Sequence, residues 1–72
     1  MKFHYDKEAD VLYAFENGVN SGIFDEDVDG VWIRKDSETG KPIGFTILDY
    51  MRRKKDGLIK AIPYFPNIKI PY

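Results

Sequence analysis

The sequence predicts an α+β fold: a small antiparallel β-meander of about four strands, one short helix near residues 50–56 and an extended C-terminal tail. Three observations predict it. Apolar and polar residues alternate in three short runs, at residues 1–5, 30–35 and 42–48, and a fourth run, at 11–15, is aromatic and apolar. The alternation stops after Leu48, where a basic run leads to Gly57. The last ten residues hold Pro63, Pro66 and Pro71, which keep a backbone extended. With 72 residues the chain has room for one domain, a β-meander over 1–49 followed by a basic segment and proline-containing tail over 50–72.

The elements follow in order. Met1, Phe3 and Tyr5 alternate with Lys2 and His4, which is a strand with one buried face. Asp6, Lys7 and Glu8 are poor strand formers and make a turn. Val11 to Phe15 is a second strand, and Asn17-Gly18 with Asn20, Ser21 and Gly22 breaks the chain after it. Ile23-Phe24 reads as a short edge piece. The clearest unit is a hairpin: Val31 and Ile33 share a face on one arm, and Ile43, Phe45 and Ile47 share a face on the other. The polar loop Asp36 to Lys41 joins the arms, with Gly40 free to take positive φ and Pro42 at a strand start. Asp49 is the expected cap of a helix over Tyr50 to Lys55, with Lys54 and Lys55 suited to its C-terminal end. Leu58 to Ile62 fits helix or strand equally by pattern. The tail carries Tyr64, Phe65, Ile68, Ile70 and Tyr72, too apolar for a linker, so it lies against its own sheet or a neighbour.

Composition narrows the function. The chain has no cysteine, hence no disulfide and no thiolate metal site, which fits a reducing, cytoplasmic setting. No apolar run reaches the ~20 residues of a membrane span, and no leader pattern opens the chain. Residues 1–49 hold five Lys/Arg against eleven Asp/Glu, a balance of −6, and residues 50–72 hold six against one, a balance of +5. Such asymmetry suits two contact surfaces or self-complementary packing rather than general nucleic-acid binding.

Several residue groups are candidates for chemistry. Asp25, Asp27, Asp29 and Gly30 open like an EF-hand calcium loop, but position twelve is Asp36 rather than a bidentate Glu, and a strand pattern follows. An acidic turn feeding a strand is the plainer reading, and it calls for a cation nearby, which the basic segment supplies. Asp6 and Asp10, with Asp49, are candidate ligands of a divalent metal in a hydrolase-type site, against the alternative that they hydrogen-bond turn amides. His4 is the lone histidine, on the polar face of a strand, and Ser21 and Ser37 have no histidine beside them. No catalytic motif is present and no cofactor is implied. The candidate partner-binding residues are Trp32, the basic cluster Arg52, Arg53, Lys54 and Lys55, and Tyr64 and Phe65. The basic cluster is also the candidate contact for phosphates, with Trp32, Tyr50 or Tyr64 stacking on bases.

Tyr5-Asp6-Lys7-Glu8-Ala9-Asp10-Val11-Leu12-Tyr13, Gly30-Val31, the loop at Gly40 and Pro42-Ile43-Gly44-Phe45-Thr46-Ile47-Leu48-Asp49 together resemble a family of small bacterial proteins, domain of unknown function 2283. The family pattern is Tyr-Asp-x-x-Ala-Asp-x-Leu-Tyr, a strand entry at Gly, then Gly-x-x-Ile-Leu-Asp. The match covers residues 1–49; residues 50–72 depart from the family's short helical ending. The resemblance implies a small β-meander with a helix on or beside the sheet, in a bacterial or phage setting, with no assigned activity. By analogy with the gene context of some members it implies an antitoxin- or inhibitor-like role. Within the pattern, Ala9 is expected to allow close packing and Gly44 close backbone approach.

The leading functional expectation is therefore a non-enzymatic protein-interaction module, which forms a homodimer through its C-terminal tail. The alternatives are a divalent-metal enzyme using Asp6, Asp10 and Asp49, and a nucleic-acid contact through Arg52 to Lys55.

Overall fold

The protein's structure, a computed structural model, describes residues 1–16, 23–28, 30–59 and 62–72. The four runs fold as strands β1 (Lys2–Asp6), β2 (Val11–Phe15), β4 (Val31–Lys35) and β5 (Pro42–Leu48), and α1 (Tyr50–Lys55) follows. A further strand, β3 (Ile23–Val28), makes the sheet five-stranded, one more than expected. Asp25, Glu26 and Asp27 thus lie in a strand rather than a turn. Acidic residues are weak strand formers, yet an edge strand pairs on one side only, and its charges discourage pairing with another chain. The register of β3 shifts between Glu26 and Val28, a bulge typical of edges. Asp29 and the break at Asn17 to Gly22 lie outside the described residues.

The spatial order is β1-β2-β5-β4-β3, with every neighbouring pair antiparallel. Only β3, β4 and β5 form a meander. The β1–β2 hairpin docks on β5, so the chain leaves β2 and re-enters at the opposite edge. Alternation identifies strands without naming their neighbours, which is why this crossover was not expected.

Pairing sets the faces. Phe3, Ala14, Phe45 and Ile33 form one cross-strand row, and Tyr5, Leu12, Ile47 and Val31 form the next. These two rows hold the core: Leu12, Ala14, Val31, Ile33, Phe45 and Ile47 are buried, joined by Tyr50 of α1 and Ile62 of the tail. Ile33 and Phe45 are paired and buried together, as the alternation predicts. Gly44 on the central strand β5 is a close approach: a Cβ there would overlap the Ala14 carbonyl oxygen and lie 3.0 Å from Phe15 Cα. Ala9, by contrast, is exposed rather than closely packed, because it sits at the outer side of the β1–β2 turn.

The β4–β5 loop closes through Asp36. Its carboxylate accepts the amides of Glu38 at 2.8 Å and Thr39 at 3.1 Å, and Gly40 takes φ 73°. Those two amides hold the Asp36 carboxyl below its ordinary pKa.

Helix α1 is capped differently from expectation. Asp49 occupies the N-cap position in the left-handed region, φ 52°, and its carboxylate makes no cap hydrogen bond. It pairs with Arg52 instead, at 2.9 Å. The capping carboxylate is Asp10 of the β1–β2 turn, which accepts the Met51 amide at 2.8 Å. The Asp10 carbonyl also accepts the Tyr50 amide at 2.9 Å. At the other end the Leu58 amide donates to the Arg53 carbonyl and the Gly57 amide to the Lys54 carbonyl, with Gly57 at φ 70°. This is the Schellman arrangement that a glycine past the helix end permits.

Residues 58–59 are irregular, and Ile62 bridges Phe65. The tail makes turns at Ile62 to Phe65 and Phe65 to Ile68 before running irregularly to Tyr72. It folds back on its own sheet: Phe65, Ile68 and Ile70 pack against the core, and the Phe65 and Phe45 ring centroids are 5.4 Å apart. Tyr72 lies 5.7 Å from the Tyr5 ring, centroid to centroid. No helix of the described residues is long and apolar enough to cross a membrane.

Candidate functional site: the open face of the sheet

Helix and tail cover one face of the sheet. The opposite face is made by the alternate residues of the same strands. Pairing places His4, Tyr13, Thr46 and Trp32 in one row across β1, β2, β5 and β4. A second row is Lys2, Phe15, Gly44, Arg34 and Phe24, and a third is Asp6, Val11 and Leu48. Aromatic and aliphatic residues occupy the middle of this surface, with Lys2, Asp6 and Arg34 among them. Tyr13 is 38 %, Leu48 39 % and Phe24 47 % exposed, while Val11, Phe15, Thr46 and Trp32 are half-buried among them.

Its side chains also organise one another. The rings of His4 and Tyr13 stack at 6.1 Å with 26° between planes. The Arg34 guanidinium lies 5.6 Å from the Phe24 ring centroid, within cation–π range. Arg34 Nε is enclosed and has no hydrogen-bond partner among the described residues. A buried donor left without a partner costs stability.

The other sequence candidates are dispersed. Trp32 belongs to the open face, whereas Phe65 turns into the core on the opposite side. Tyr64, exposed and at φ 67°, receives a hydrogen bond from Lys35 Nζ at 3.3 Å, with that ammonium 4.8 Å from its ring centroid. Within the basic cluster, Arg52 pairs with Asp49, Arg53 Nε donates to the Leu48 carbonyl at 3.0 Å, and Lys54 donates to the Tyr72 main-chain oxygen. Lys55 is exposed. Arg53 also lies against Gly30, where an added Cβ would overlap its guanidinium; the side chains of the acidic stretch lie outside the described residues. Arg52, Arg53 and Lys54 thus each contact a group of the same chain.

Of the carboxylates of the expected metal site, Asp49 pairs with Arg52, and Asp6 and Asp10 serve the backbone. Asp6 accepts the amides of Glu8 and Ala9 at 3.1 and 3.2 Å. Asp10 accepts the Tyr5 hydroxyl at 2.7 Å besides capping α1. The Met51 amide and the Tyr5 hydroxyl hold the Asp10 carboxyl below its ordinary pKa. The same hydrogen bond, then loss of hydration and the nearby carboxylates, push Tyr5 up to about 12. No group of three or more His, Asp or Glu among the described residues is arranged to hold a metal ion.

The open face was missed as a site, although one signal for it stands in the sequence. Val11 to Phe15 is apolar at every position, VLYAF. A strand with one solvated face alternates, so a strand apolar on both faces has two surfaces to cover. Comparison of the chain with family models, with curated proteins and with solved structures finds no match.

Proposed function

We propose that the protein is a small interaction module that docks a partner protein on the open face of its sheet. One observation carries this: among the described residues α1 and the tail close one side of the sheet, while on the other Tyr13, Phe24 and Leu48 are exposed and Trp32 is half-buried beside them. Contiguous apolar surface of that kind marks interaction sites on soluble domains, and Tyr, Trp and Arg are the residues that anchor interfaces. The surrounding chain, residues 1–49, carries a balance of −6, so the fitting partner surface is apolar at its centre and basic at its rim. The resemblance over residues 1–49 is consistent with a partner-neutralising, antitoxin- or inhibitor-like role.

The test compares three tagged chains in a pull-down from the source cells: the parent, Tyr13→Ser with Trp32→Ser, and Lys54→Met as a control on the covered side. The expected result is a partner captured by the parent and by Lys54→Met but lost from the double variant. Hydrogen exchange on the purified complex is expected to protect residues 11–15, 32–34 and 44–48. A partner retained by the double variant, protection confined to α1 and the tail, or no protein that distinguishes the chains would each refute the reading.

A further inference from the structure

On the covered side, α1 and the tail do not meet fully. A cleft of about 300 Å³ lies between them, and Ile59, Ile62, Phe65 and Ile68 supply its apolar walls. At one end stand the Tyr50 hydroxyl and the Lys54 ammonium, and both donate to a single acceptor, the Tyr72 main-chain oxygen, at 2.9 and 2.5 Å. The volume falls at the low end of the ~300–1,000 Å³ typical of small-molecule sites, and apolar walls with a few converging donors are their usual composition. No acidic side chain is among the described residues that line it. Lys54 sits on a helix that also carries Arg52, Arg53 and Lys55, so the local charge is positive.

We propose that this cleft binds a small amphipathic carboxylate, with its hydrocarbon end among Ile59, Ile62, Phe65 and Ile68 and its carboxylate at Lys54. The tail's own main-chain oxygen marks where the two donors converge on an acceptor. Lys54 has three N–H donors and spends one on Tyr72, leaving donors for a ligand carboxylate, and charge-assisted bonds of this type are the strong ones. Lys54 is exposed and its stem borders the apolar wall, so the ammonium meets both water and ligand. The cleft is on the other side of the sheet from Tyr13 and Trp32, so this reading and the docking face fail separately.

The experiment is a ¹⁵N–¹H titration of the full chain with octanoate, with octylamine and octanol as equal-length probes of head-group charge. Octanoate is expected to shift Lys54, Ile59 and Ile68 saturably. Octanol is expected to bind more weakly, and octylamine not at all. Lys54→Met keeps the apolar stem and is expected to weaken octanoate about tenfold or more. Ile68→Trp, which fills the cleft, is expected to abolish binding while the open-face signals stay in place. The proposal is overturned if octanoate gives no saturable shift, if octylamine binds as well, or if Lys54→Met leaves the affinity unchanged. It is overturned equally if the shifts centre on Tyr13 and Trp32, or if the chain sediments with anionic phosphatidylglycerol vesicles but ignores free octanoate.

Discussion

Phe45→Ala should come close to unfolding this protein. Phe45 is 1 % exposed, lies on the central strand between Ala14 and Ile33, and supports the Phe65 ring of the tail. A phenylalanine buries about 150–250 Å², which at ~25 cal/mol per Å² is about 4–6 kcal/mol for the whole side chain. Alanine keeps a fraction of that, and measured Phe→Ala losses run about 3–5 kcal/mol. The total stability of a 72-residue domain is about 4–11 kcal/mol at ~0.05–0.15 kcal/mol per residue. An unfolding entropy of ~2.1 cal/mol/K per residue converts each kcal/mol into a fall of about 6–7 °C in Tm. The expected drop is therefore about 20–30 °C, read by far-UV circular dichroism melts of parent and variant at matched concentration. A Tm within about 5 °C of the parent would mean that Phe45 is not at the centre of the core and that the hairpin register is wrong.

Two further outcomes follow from the backbone contacts. Because the folded Asp10 carboxyl is held below its ordinary value, its contribution is complete above the unfolded pKa of ~3.9 and is lost as pH falls through the lower folded value. Asp10→Asn, which tolerates the left-handed backbone at φ 55°, should thus be less stable than the parent near neutrality and lose less on acidification, measured by urea midpoints across pH; parallel pH curves would rule out the capping role. Asp36, shifted in the same direction, leaves some acid sensitivity in both chains. Gly44→Ala should cost about 1–3 kcal/mol, because its methyl meets the backbone of β2 rather than a side chain that can move; a variant that melts at or above the parent would contradict that close approach.

What the sequence revealed divides along physical lines. The β4–β5 hairpin and α1 were legible because period two, a polar loop and a glycine stop are local signals, and Gly40 and Gly57 take the positive φ their positions require. Strand β3 was legible only at its start, where Ile23-Phe24 reads as an edge piece; its continuation to Val28 was not, since its ladder to Trp32 and Ile33 exists only after folding and its acidic residues argue locally against a strand. The cap on α1 was hidden for a similar reason: Asp49 stands at the right place in the chain, while the carboxylate that acts, Asp10, arrives from 41 residues away. The open face was half legible. Trp32 was singled out, but Tyr13, Phe15 and Phe24 join it only through pairing across β2, β5, β4 and β3. Phe65, equally aromatic, went to the opposite side.

The borrowed cap on α1 also bears on the order in which the protein assembles. A helix of six residues is far below the ~12–15 needed for a helix to persist alone in water. Its first amides are satisfied by the β1–β2 turn, so its nucleation waits on closure of a long loop, an entropic cost that local contacts cannot offset. The helix is then not a seed around which the sheet collects. It is a latch that sets once the β1–β2 hairpin has found β5, and the tail, held through Tyr50 and Lys54, can settle only after it. Closing of the covered side is therefore expected to come late in folding, and pulsed hydrogen exchange that protects the α1 amides before those of β2 and β5 would refute it.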